Sequence, residues 1–534
     1  MTQTCMPKNT YPLEDATSSH PTSTWRSTLR AFCSGLLLPL GFAPFHMPGL
    51  AILGLALLFL QLRTRTAKHA FAIGFAFAIG FFGLGVSWIY ASIHSYGHLN
   101  FMLSALFTLL FVAYLALYTG LMAMMYQRLA KNIPDYARVL VFSSLWLLSE
   151  YLRSTCLGGF PWLSLGFGQM DSPLQHLLPL VGVLGVGWFT ALCGGFLGLV
   201  FLKSGAKKRL GLILFVLLVM SPQAIKYIHW TQVNKQPLSV GVIQANLSMR
   251  DKWNESIFWN ILDYYQEAAS KLIKTKQVVV MPESAIPLPS SYVGDFLETL
   301  NQEAQANNSA VLLGIPYPNP HTPNASNTSN KTTYHNALLS LGKAQGVYLK
   351  QHLVLFGEII PPWLVKFNQW LGLPDPNMTT GQPHQKLITV NQHPVATLIC
   401  YELAYPELLR AQLPSAEWIV SISDDGWFGH SFAIYQHLQM AQVLSKQTGR
   451  FQIVSNNSGL SSLINAEGAI TNKLPAFDTS ILEGVIHGAT GATPWVRTGD
   501  FPAILFSGMI CLIAFGFRVK LAARKKRRYP NQPC

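Results

Sequence analysis

Cys400 lies at the end of an apolar run and is followed directly by Tyr401 and Glu402. The run from Pro394 to Ile399 has the composition of a buried β-strand. A cysteine at the tip of a strand, beside a carboxylate, is placed as the nucleophile of a covalent mechanism would be. Taken alone, Cys400 has a second interpretation as a small core residue, because unpaired cysteine is often buried.

Two further stretches place a charged residue at or near the end of an apolar run. Glu283 follows the run from Val278 to Met281 and the proline after it. Lys350 is embedded in a run that starts at Val347, where an unpaired ammonium group would be costly. Either residue alone could be a surface charge. Together with Cys400 they predict a carboxylate base, a cation and a thiol that converge at one edge of a sheet.

The order Glu283, Lys350, Cys400 resembles the Glu-Lys-Cys triad of the nitrilase superfamily. Within that superfamily, four segments resemble the apolipoprotein N-acyltransferase family: Pro282–Pro287, Phe356–Glu358, Cys400–Glu402 and Asp425–Gly429. The resemblance covers nearly the whole chain, because that family also carries a membrane domain of matching layout. One departure is Gly426, where the family pattern has alanine.

The resemblance implies a two-step acyl transfer without a cofactor or a metal ion. Cys400 would take a fatty acyl chain from a membrane phospholipid as a thioester. The α-amino group of the N-terminal S-diacylglyceryl-cysteine of an apolipoprotein would then accept it. Glu283 is expected to act as the general base. Lys350 is expected to favour the thiolate of Cys400 and to stabilise the tetrahedral oxyanion.

Three residues next to the predicted triad are expected to support it. Glu358 and Glu402 would hold Lys350 in place or keep it charged, and the alternative for Glu402 is a plain surface acid. The backbone N–H of Tyr401 is expected to be a second oxyanion donor, by analogy with other nucleophile turns.

Four more residues are suspected from the resemblance alone. Trp253 and Tyr348 would line a pocket for the acyl chain or the headgroup. Asn456 would form hydrogen bonds near the site. Trp427 would form part of the pocket wall, with a core position as the alternative.

The composition indicates a membrane protein with a soluble part. Half of the 534 residues are hydrophobic and only 12% are charged. The formal charge is +14, but the basic residues cluster in short loops between apolar segments, which is a topology signal rather than a nucleic-acid signal. Among the 7 cysteines, only Cys400 lies in the polar region from about 230 to 500, so that region cannot form an internal disulfide.

Eight apolar segments are predicted to cross the membrane: Ala31–His46, Pro48–Leu62, Ala70–Ala91, Phe101–Tyr126, Val139–Leu152, Leu178–Leu202, Leu210–Ile225 and Phe501–Phe517. A span needs roughly 20 residues, so the first, second and fifth are short. The first also contains Pro39 and Pro44. With eight spans and both termini inside, every basic cluster lies on the same side.

These observations predict a multi-span α-helical membrane domain joined to an α/β domain. The predicted order is a cytoplasmic tail over 1–28, a membrane domain with helices 1–7 over 29–229, a periplasmic catalytic domain over 236–488, helix 8 over 500–519 and a basic cytoplasmic tail over 520–534. The expected location is the inner membrane, as a monomer.

The polar region alternates predicted strands and helices, which favours an α/β fold. The predicted strands are Ser239–Gln244, Gln277–Met281, Ala310–Ile315, Asn336–Leu341, Val395–Cys400, Trp418–Ser423, Phe451–Ser455 and Ser461–Ile464. The resemblance implies that they form a nitrilase-like αββα sandwich.

Two features outside the triad carry structural hypotheses. Glu150 and Arg153, at the outer end of the fifth predicted span, are interpreted as a structural ion pair. The resemblance suggests that the loop 158–173, which contains the interfacial aromatics Phe160 and Trp162, borders the active site.

The segment Ile359–Leu371 is too short and too rich in proline to span a bilayer. Its tryptophans Trp363 and Trp370 favour a lid that dips into the outer leaflet. The alternative is a partly buried loop.

Two other functions fit parts of the sequence. A membrane-tethered, nitrilase-type amidohydrolase acting on a small amide would release a free acid or ammonia and would be indifferent to lipid. A non-catalytic lipid or lipoprotein transporter would form no covalent intermediate and would tolerate loss of Cys400. The complete set of Glu283, Lys350 and Cys400 argues against the transporter.

Overall fold

The computed structural model describes residues 24–63, 65–97, 99–249, 251–319, 333–360, 364–370 and 378–528. Its α-helices are α1 Thr24–Gly35, α2 Pro48–Gln61, α3 Ala67–Gly85, α4 Ile89–Ser95, α5 Phe101–Leu129, α6 Asp135–Thr155, α7 Leu178–Leu202, α8 Gly205–Met220, α9 Phe258–Ile273, α10 Gly294–Ala306, α11 Val365–Trp370, α12 Pro406–Arg410, α13 Ala433–Thr448, α14 Pro494–Thr498 and α15 Phe501–Arg528. Its strands are β1 Thr231–Gln244, β2 Val278–Val280, β3 Ala310–Pro318, β4 Tyr334–Gly342, β5 Ala344–Gln345, β6 Val347–Leu349, β7 Ile388–Val390, β8 His393–Ile399, β9 Trp418–Ser423, β10 Gln452–Asn456, β11 Ser462–Ile464, β12 Ile470–Lys473 and β13 Ser480–Gly491.

Five of the eight predicted spans have a counterpart that is long and apolar enough to cross a membrane. Within the described residues these helical segments are Ala67–Gly85, Phe101–Leu129, Pro173–Leu202, Gly205–Ile225 and Phe501–Leu521. They match the third, fourth, sixth, seventh and eighth predicted spans. The chain is therefore a membrane protein by its apolar helices, but eight spans are not confirmed.

The three remaining predicted spans differ from an apolar helix of full length. The first is interrupted, because α1 ends at Gly35 and a 3-10 turn follows at Pro39–Gly41, where proline cannot continue the helix. The second, α2, is apolar but has only 14 residues. The fifth, α6, has 21 residues but includes charged side chains at both ends, among them Asp135 and Arg153.

Two mixed sheets follow the helices α1–α8. The first has the strand order β13-β1-β2-β3-β4-β6, and the second has the order β12-β11-β10-β9-β8-β7-β5. The strands β1, β2 and β3 are parallel in the first sheet, and β8, β9 and β10 are parallel in the second. The flanking pairs are antiparallel.

Side chains alternate between two apolar layers along the central strands. Val278 and Val280 of β2 pack in the core between the sheets, whereas Val279 packs against α9 and α10. In the second sheet Val420 faces the same inner core, whereas Ile419 faces α12 and α13. Because both faces are covered, these strands have continuous apolar sequences. The layer order is helix, sheet, sheet, helix, as the resemblance implied.

Helix α13 joins the membrane helices to the second sheet. Its Leu438 and Leu444 pack with the sheet core. Its Ile434 and Val443 belong to the apolar cluster of the membrane helices. A helix with two apolar faces is buried between its partners. The helical bundle and the sandwich therefore pack directly on each other, next to the end of β8.

Candidate active site

Cys400 is held at the end of β8 in an unusual backbone conformation. Its φ angle is +53°, in the left-handed region that a residue with a Cβ rarely occupies. Such a conformation costs on the order of 1–3 kcal/mol and persists only where surrounding contacts enforce it. The side chain is buried. Cys400 is therefore placed by its neighbours rather than by its own preference.

Glu402 makes several of the contacts that hold Cys400 in this conformation. Its Oε2 accepts from the N–H of Ile399 at 2.8 Å and from the hydroxyl of Tyr348 at 3.1 Å. Its Oε1 accepts from the N–H groups of Gln351 and His352 at 2.6 and 3.1 Å. The residue is 0% exposed, so the surface-acid alternative is wrong. Its carboxylate ties the end of β8 to the segment after β6, which carries Lys350.

Glu283, Lys350 and Glu358 form a buried charge cluster. The Nζ of Lys350, which is 1% exposed, lies 3.1 Å from Glu283 Oε1 and 2.9 Å from Glu358 Oε1. The Nδ2 of Asn336 donates to the same two oxygens at 2.7 and 2.8 Å. Of the two acids considered as partners of Lys350, the structure places Glu358 in direct contact with its ammonium group, and it adds Asn336, which the sequence analysis did not identify.

The balance of burial and neighbouring charge raises the pKa of both Lys350 and Cys400. Burial lowers the pKa of Lys350, but the carboxylates of Glu283 and Glu358 raise it more, so the group stays charged. Burial raises the pKa of the Cys400 thiol well above its usual value, and the charge of Glu283 adds to this effect. Lys350 lowers that pKa, in the predicted direction, but by less than burial raises it. The resting thiol is therefore protonated and needs a base.

A second buried ion pair fixes the backbone of Glu283. The Nζ of Lys252 donates to the carbonyl oxygen of Glu283 at 3.1 Å and to Asp424 Oδ2 at 2.7 Å. The N–H of Asp424 donates to Glu283 Oε2 at 3.0 Å, and the amide of Asn457 donates to both oxygens of the Asp424 carboxylate. Breaking a buried pair leaves an uncompensated charge, so this arrangement locks the orientation of Glu283.

His437 of α13 lies on the other side of Cys400. Its Nδ1 lies 2.9 Å from Asp425 Oδ1, and its Nε2 lies 3.0 Å from the carbonyl oxygen of Cys400. The N–H of Asp425 donates to the Oδ1 of Asn456 at 3.1 Å. The predicted residue Asn456 is therefore linked to Cys400 through Asp425 and His437, because it holds the turn that carries Asp425.

The loop 158–173 of the membrane bundle covers this side of the site. The ring of Trp162 stacks on Tyr401 with centroids 6.4 Å apart and on His437 with centroids 5.6 Å apart. The hydroxyl of Tyr405 donates to the carbonyl of Gly159 at 3.0 Å. This loop borders the residue that follows Cys400, as the resemblance suggested.

The predicted ion pair between Glu150 and Arg153 is wrong as a direct contact. Arg153 donates instead to the carbonyl oxygens of Phe160 and Trp162. Glu150 Oε1 accepts from the N–H of Leu165 at 2.9 Å. The two side chains bind neighbouring residues of the same loop, whose backbone groups would otherwise be buried without partners.

The remaining predicted residues are placed less closely. Tyr348 is buried and bonds to Glu402, and does not present its hydroxyl to an open pocket. Trp253 is 51% exposed and follows Lys252. Trp427 is 39% exposed, and its ring meets Tyr96 of the membrane bundle edge-on, so it is not a core residue.

Part of the predicted lid Ile359–Leu371 lies outside the described residues, and Trp363 belongs to that part. The described part contains the short helix α11. Its last residue, Trp370, is 78% exposed.

Replacing Glu402 with Gln should flatten the dependence of stability on pH. Burial raises the pKa of Glu402 from 4.5 to about 7. Between these values the folded state keeps a proton that the unfolded state has lost, so the contribution of Glu402 to stability falls as pH rises. Without the carboxyl group, that fall in melting temperature between about pH 4.5 and 7 should disappear.

The measurement is a series of melting curves of the detergent-solubilised protein across this pH range. Glu467→Gln, which removes an exposed acid in a distant turn, is the control and should keep the wild-type slope. An unchanged slope in Glu402→Gln would contradict the prediction.

Comparison with known proteins gives matches to both parts of the chain. The model of the apolipoprotein N-acyltransferase N-terminal domain matches residues 34–196, and the carbon-nitrogen hydrolase model matches residues 239–493. The apolipoprotein N-acyltransferase of Methylococcus capsulatus is 34% identical over 507 residues, covering 94% of this chain and 98% of the relative. That of Coxiella burnetii is 34% identical over 495 residues, covering 92% and 100%. Among solved structures, an amidase from Nesterenkonia sp. aligns with 52% of this chain and 96% of its own, at 14% identity and a TM-score of 0.34.

Proposed function

The chain belongs to the apolipoprotein N-acyltransferase family, and we propose that it moves a fatty acyl chain from a phospholipid to an apolipoprotein through a thioester on Cys400. Family membership makes it a membrane acyltransferase of lipoprotein maturation, with a lipid donor and a lipoprotein acceptor. The thioester proposal rests on one observation, the position of the Cys400 thiol. This thiol is buried, is subject to the charges of the Glu283–Lys350 pair, and lies at the junction with the membrane bundle.

In the first step Glu283 takes the proton of the Cys400 thiol as the sulfur attacks the ester carbonyl of the phospholipid. Lys350 and the N–H of Tyr401 stabilise the oxyanion. The carbon–oxygen bond to the glycerol then breaks, and Glu283 returns the proton to the leaving alkoxide. The products are a thioester on Cys400 and a lysophospholipid.

In the second step the neutral α-amino group of the diacylglyceryl-cysteine attacks the thioester carbonyl. Glu283 takes one proton from the nitrogen, and the same donors hold the second oxyanion. The carbon–sulfur bond breaks, and Glu283 gives the proton to the departing sulfur. Because the pKa of Cys400 is raised by burial, the enzyme returns to a protonated thiol.

The positions of charged loops support the proposed topology, in which both termini and the basic loops are cytoplasmic and the domain over 236–488 is periplasmic. Asp135 at the start of α6 pairs with Arg63 after α2 at 3.0 Å and with Lys203 after α7 at 2.5 Å. These basic loops therefore share one end of the bundle, and the sandwich packs near the loop at the other end. Loops rich in Lys and Arg at one end of the membrane helices are typical of the cytoplasmic side. The proposed location is the inner membrane.

The proposed function is tested with the purified chain in phospholipid vesicles and a synthetic diacylated lipopeptide. Mass spectrometry should show the lipopeptide gaining one acyl group on its α-amino nitrogen, together with an equal amount of lysophospholipid. A lipopeptide with an acetylated amino terminus is the matched control and should stay unchanged. Release of ammonia from small amides, with no lipopeptide product, would favour the amidohydrolase instead.

Trp370→Ser should weaken action on membrane lipid while leaving the chemistry intact. We propose that α11 belongs to a lid that dips into the outer leaflet, and the exposed Trp370 at its end is suited to that interface. Loss of about 1.4 kcal/mol of interfacial binding would raise the apparent KM for vesicle lipid about tenfold.

The rates are compared on vesicles and on a short-chain phospholipid dissolved below its micelle concentration. The variant should differ from the wild type only on vesicles. Equal kinetics on vesicles would rule out the lid role of this residue.

A further inference from the structure

His437 presents both of its ring nitrogens to hydrogen-bond acceptors. Nδ1 faces a carboxylate oxygen of Asp425, and Nε2 faces the carbonyl oxygen of Cys400. A carbonyl oxygen only accepts, so Nε2 must carry a hydrogen and donate it. A neutral imidazole has one N–H, so a second proton must lie between Nδ1 and Asp425. The buried pair of His437 and Asp425 therefore holds one proton more than a neutral ring beside a carboxylate.

The carbonyl that His437 grips belongs to the same peptide unit as the N–H of Tyr401. The peptide group is planar and trans, so its C=O and N–H point in opposite directions. A donor that fixes the direction of the Cys400 carbonyl therefore also fixes the direction of the Tyr401 N–H. This constraint matters because Cys400 sits at a φ angle of +53°, which its backbone would not keep unaided.

We propose that His437, together with Asp425, is a positioning residue that aims the Tyr401 N–H at the oxyanion formed in each acyl-transfer step. The inference rests on the proposed function, since only a mechanism with a tetrahedral oxyanion needs that donor. A hydrogen bond from a charged ring to the carbonyl also polarises the peptide, which makes its N–H a stronger donor. His437 itself touches no reacting atom.

The surroundings of His437 are suited to holding a charged ring in one orientation. Burial lowers the pKa of His437, but the contact with Asp425 raises it more, and the more distant charge of Glu283 adds to the rise. The ring of Trp162 stacks on the imidazole with an interplanar angle of 25°, and Phe428 meets it edge-on. An aromatic face favours a cation above it. Trp162 belongs to the loop 158–173 of the membrane bundle. The bundle therefore holds the imidazole of His437 in place, and His437 in turn holds the backbone at Cys400.

Two substitutions at His437 separate its two contacts. In His437→Asn the amide nitrogen lies near the former position of Nδ1, so the bond to Asp425 is kept and the bond to the Cys400 carbonyl is lost. In His437→Gln the amide nitrogen reaches the former position of Nε2, so a neutral donor to the Cys400 carbonyl is kept. His393→Asn is the matched control, because it makes the same change at a histidine whose Nδ1 also faces a carboxylate, that of Glu417, at the far end of β8.

The test compares two reactions of Cys400 in vesicles of phosphatidylethanolamine and phosphatidylglycerol. Acyl-adduct formation, followed by mass spectrometry, passes through an oxyanion. Alkylation by iodoacetamide, followed at Cys400 by peptide mapping, displaces iodide at a saturated carbon and forms no oxyanion. We expect His437→Asn to slow acylation about 10²-fold, as for loss of one oxyanion donor, with alkylation at the wild-type rate. His437→Gln should lie between the two, and His393→Asn should match the wild type.

Equal loss of both reactions in His437→Asn and His437→Gln would overturn the proposal in favour of a general structural role. Wild-type acylation in His437→Asn would overturn it outright. If the wild-type chain is alkylated at Cys400 but never acylated, the thioester mechanism itself fails, and this inference fails with it. The result for the wild type therefore separates the two failures.

Discussion

Cys400→Ala should form no acyl adduct with phospholipid and should acylate the lipopeptide on the order of 10⁴-fold or more slowly than the wild type. The proposed mechanism passes every acyl chain through the sulfur, and alanine offers no nucleophile. Intact-mass spectrometry after incubation with phospholipid and no acceptor should show one added acyl group on the wild type only. Hydroxylamine should remove that group, because it cleaves thioesters.

The same experiment includes two checks on the meaning of the adduct. Cys193→Ala removes a buried thiol of α7 that lies in the core of the membrane bundle, and it should keep the adduct. Addition of the diacylated lipopeptide to the acylated wild type should clear the adduct and yield an equal amount of product. An adduct on Cys400→Ala, or full turnover by that variant, would show that Cys400 is not the acyl carrier.

The strands that position the site could be read from the sequence because both of their faces are buried. Runs such as Val278 to Met281 and Val395 to Ile399 are continuously apolar, which is the pattern of a strand between two layers. Strand β13 was not predicted, although it pairs with β1 along most of its length. It mixes exposed residues such as Glu483 with buried ones such as Leu482, so its sequence lacks that pattern.

The partners of the triad could not be read from the sequence, because each contact joins distant parts of the chain. Asn336 reaches Glu283 across 53 residues, and Lys252 reaches Asp424 across 172. An asparagine on a strand or a lysine in a loop has no local sequence pattern that would predict these long-range contacts. A cue was available for Asp424, since acidic residues follow β9 as Glu283 follows β2.

One prediction failed and one predicted effect is outweighed, because several interactions compete in a buried site. Glu150 and Arg153 have the spacing of a helical ion pair, but the loop that follows their helix offers backbone partners to both. Lys350 lowers the pKa of Cys400, as expected, but burial and the charge of Glu283 raise that pKa by more. The net sign of such a balance depends on depth and distance, which a sequence does not contain.

Glu283→Gln should slow both acyl-transfer steps by on the order of 10²- to 10⁴-fold, the usual range for loss of a general base. The amide cannot take the thiol proton. It also places an NH₂ group at one of two oxygens that now accept hydrogen bonds, Oε1 from Lys350 and Asn336 or Oε2 from the N–H of Asp424. Single-turnover acylation and aminolysis, each measured by mass spectrometry, should fall together because one base serves both steps. Glu483→Gln, which removes the exposed partner of Lys276, is the matched control.

The same variant should change the pH dependence of the thiol in the opposite sense. The negative charge of Glu283 raises the pKa of Cys400, so its removal should let the thiol ionise at lower pH. Alkylation of Cys400 by iodoacetamide in Glu283→Gln should therefore reach its plateau at lower pH than in the wild type, although acyl transfer is slower. A thiol that is easier to ionise but poorer in acyl transfer is the signature of a lost base. If both acylation and alkylation fall at every pH, Glu283 supports the shape of the site and not the proton transfer.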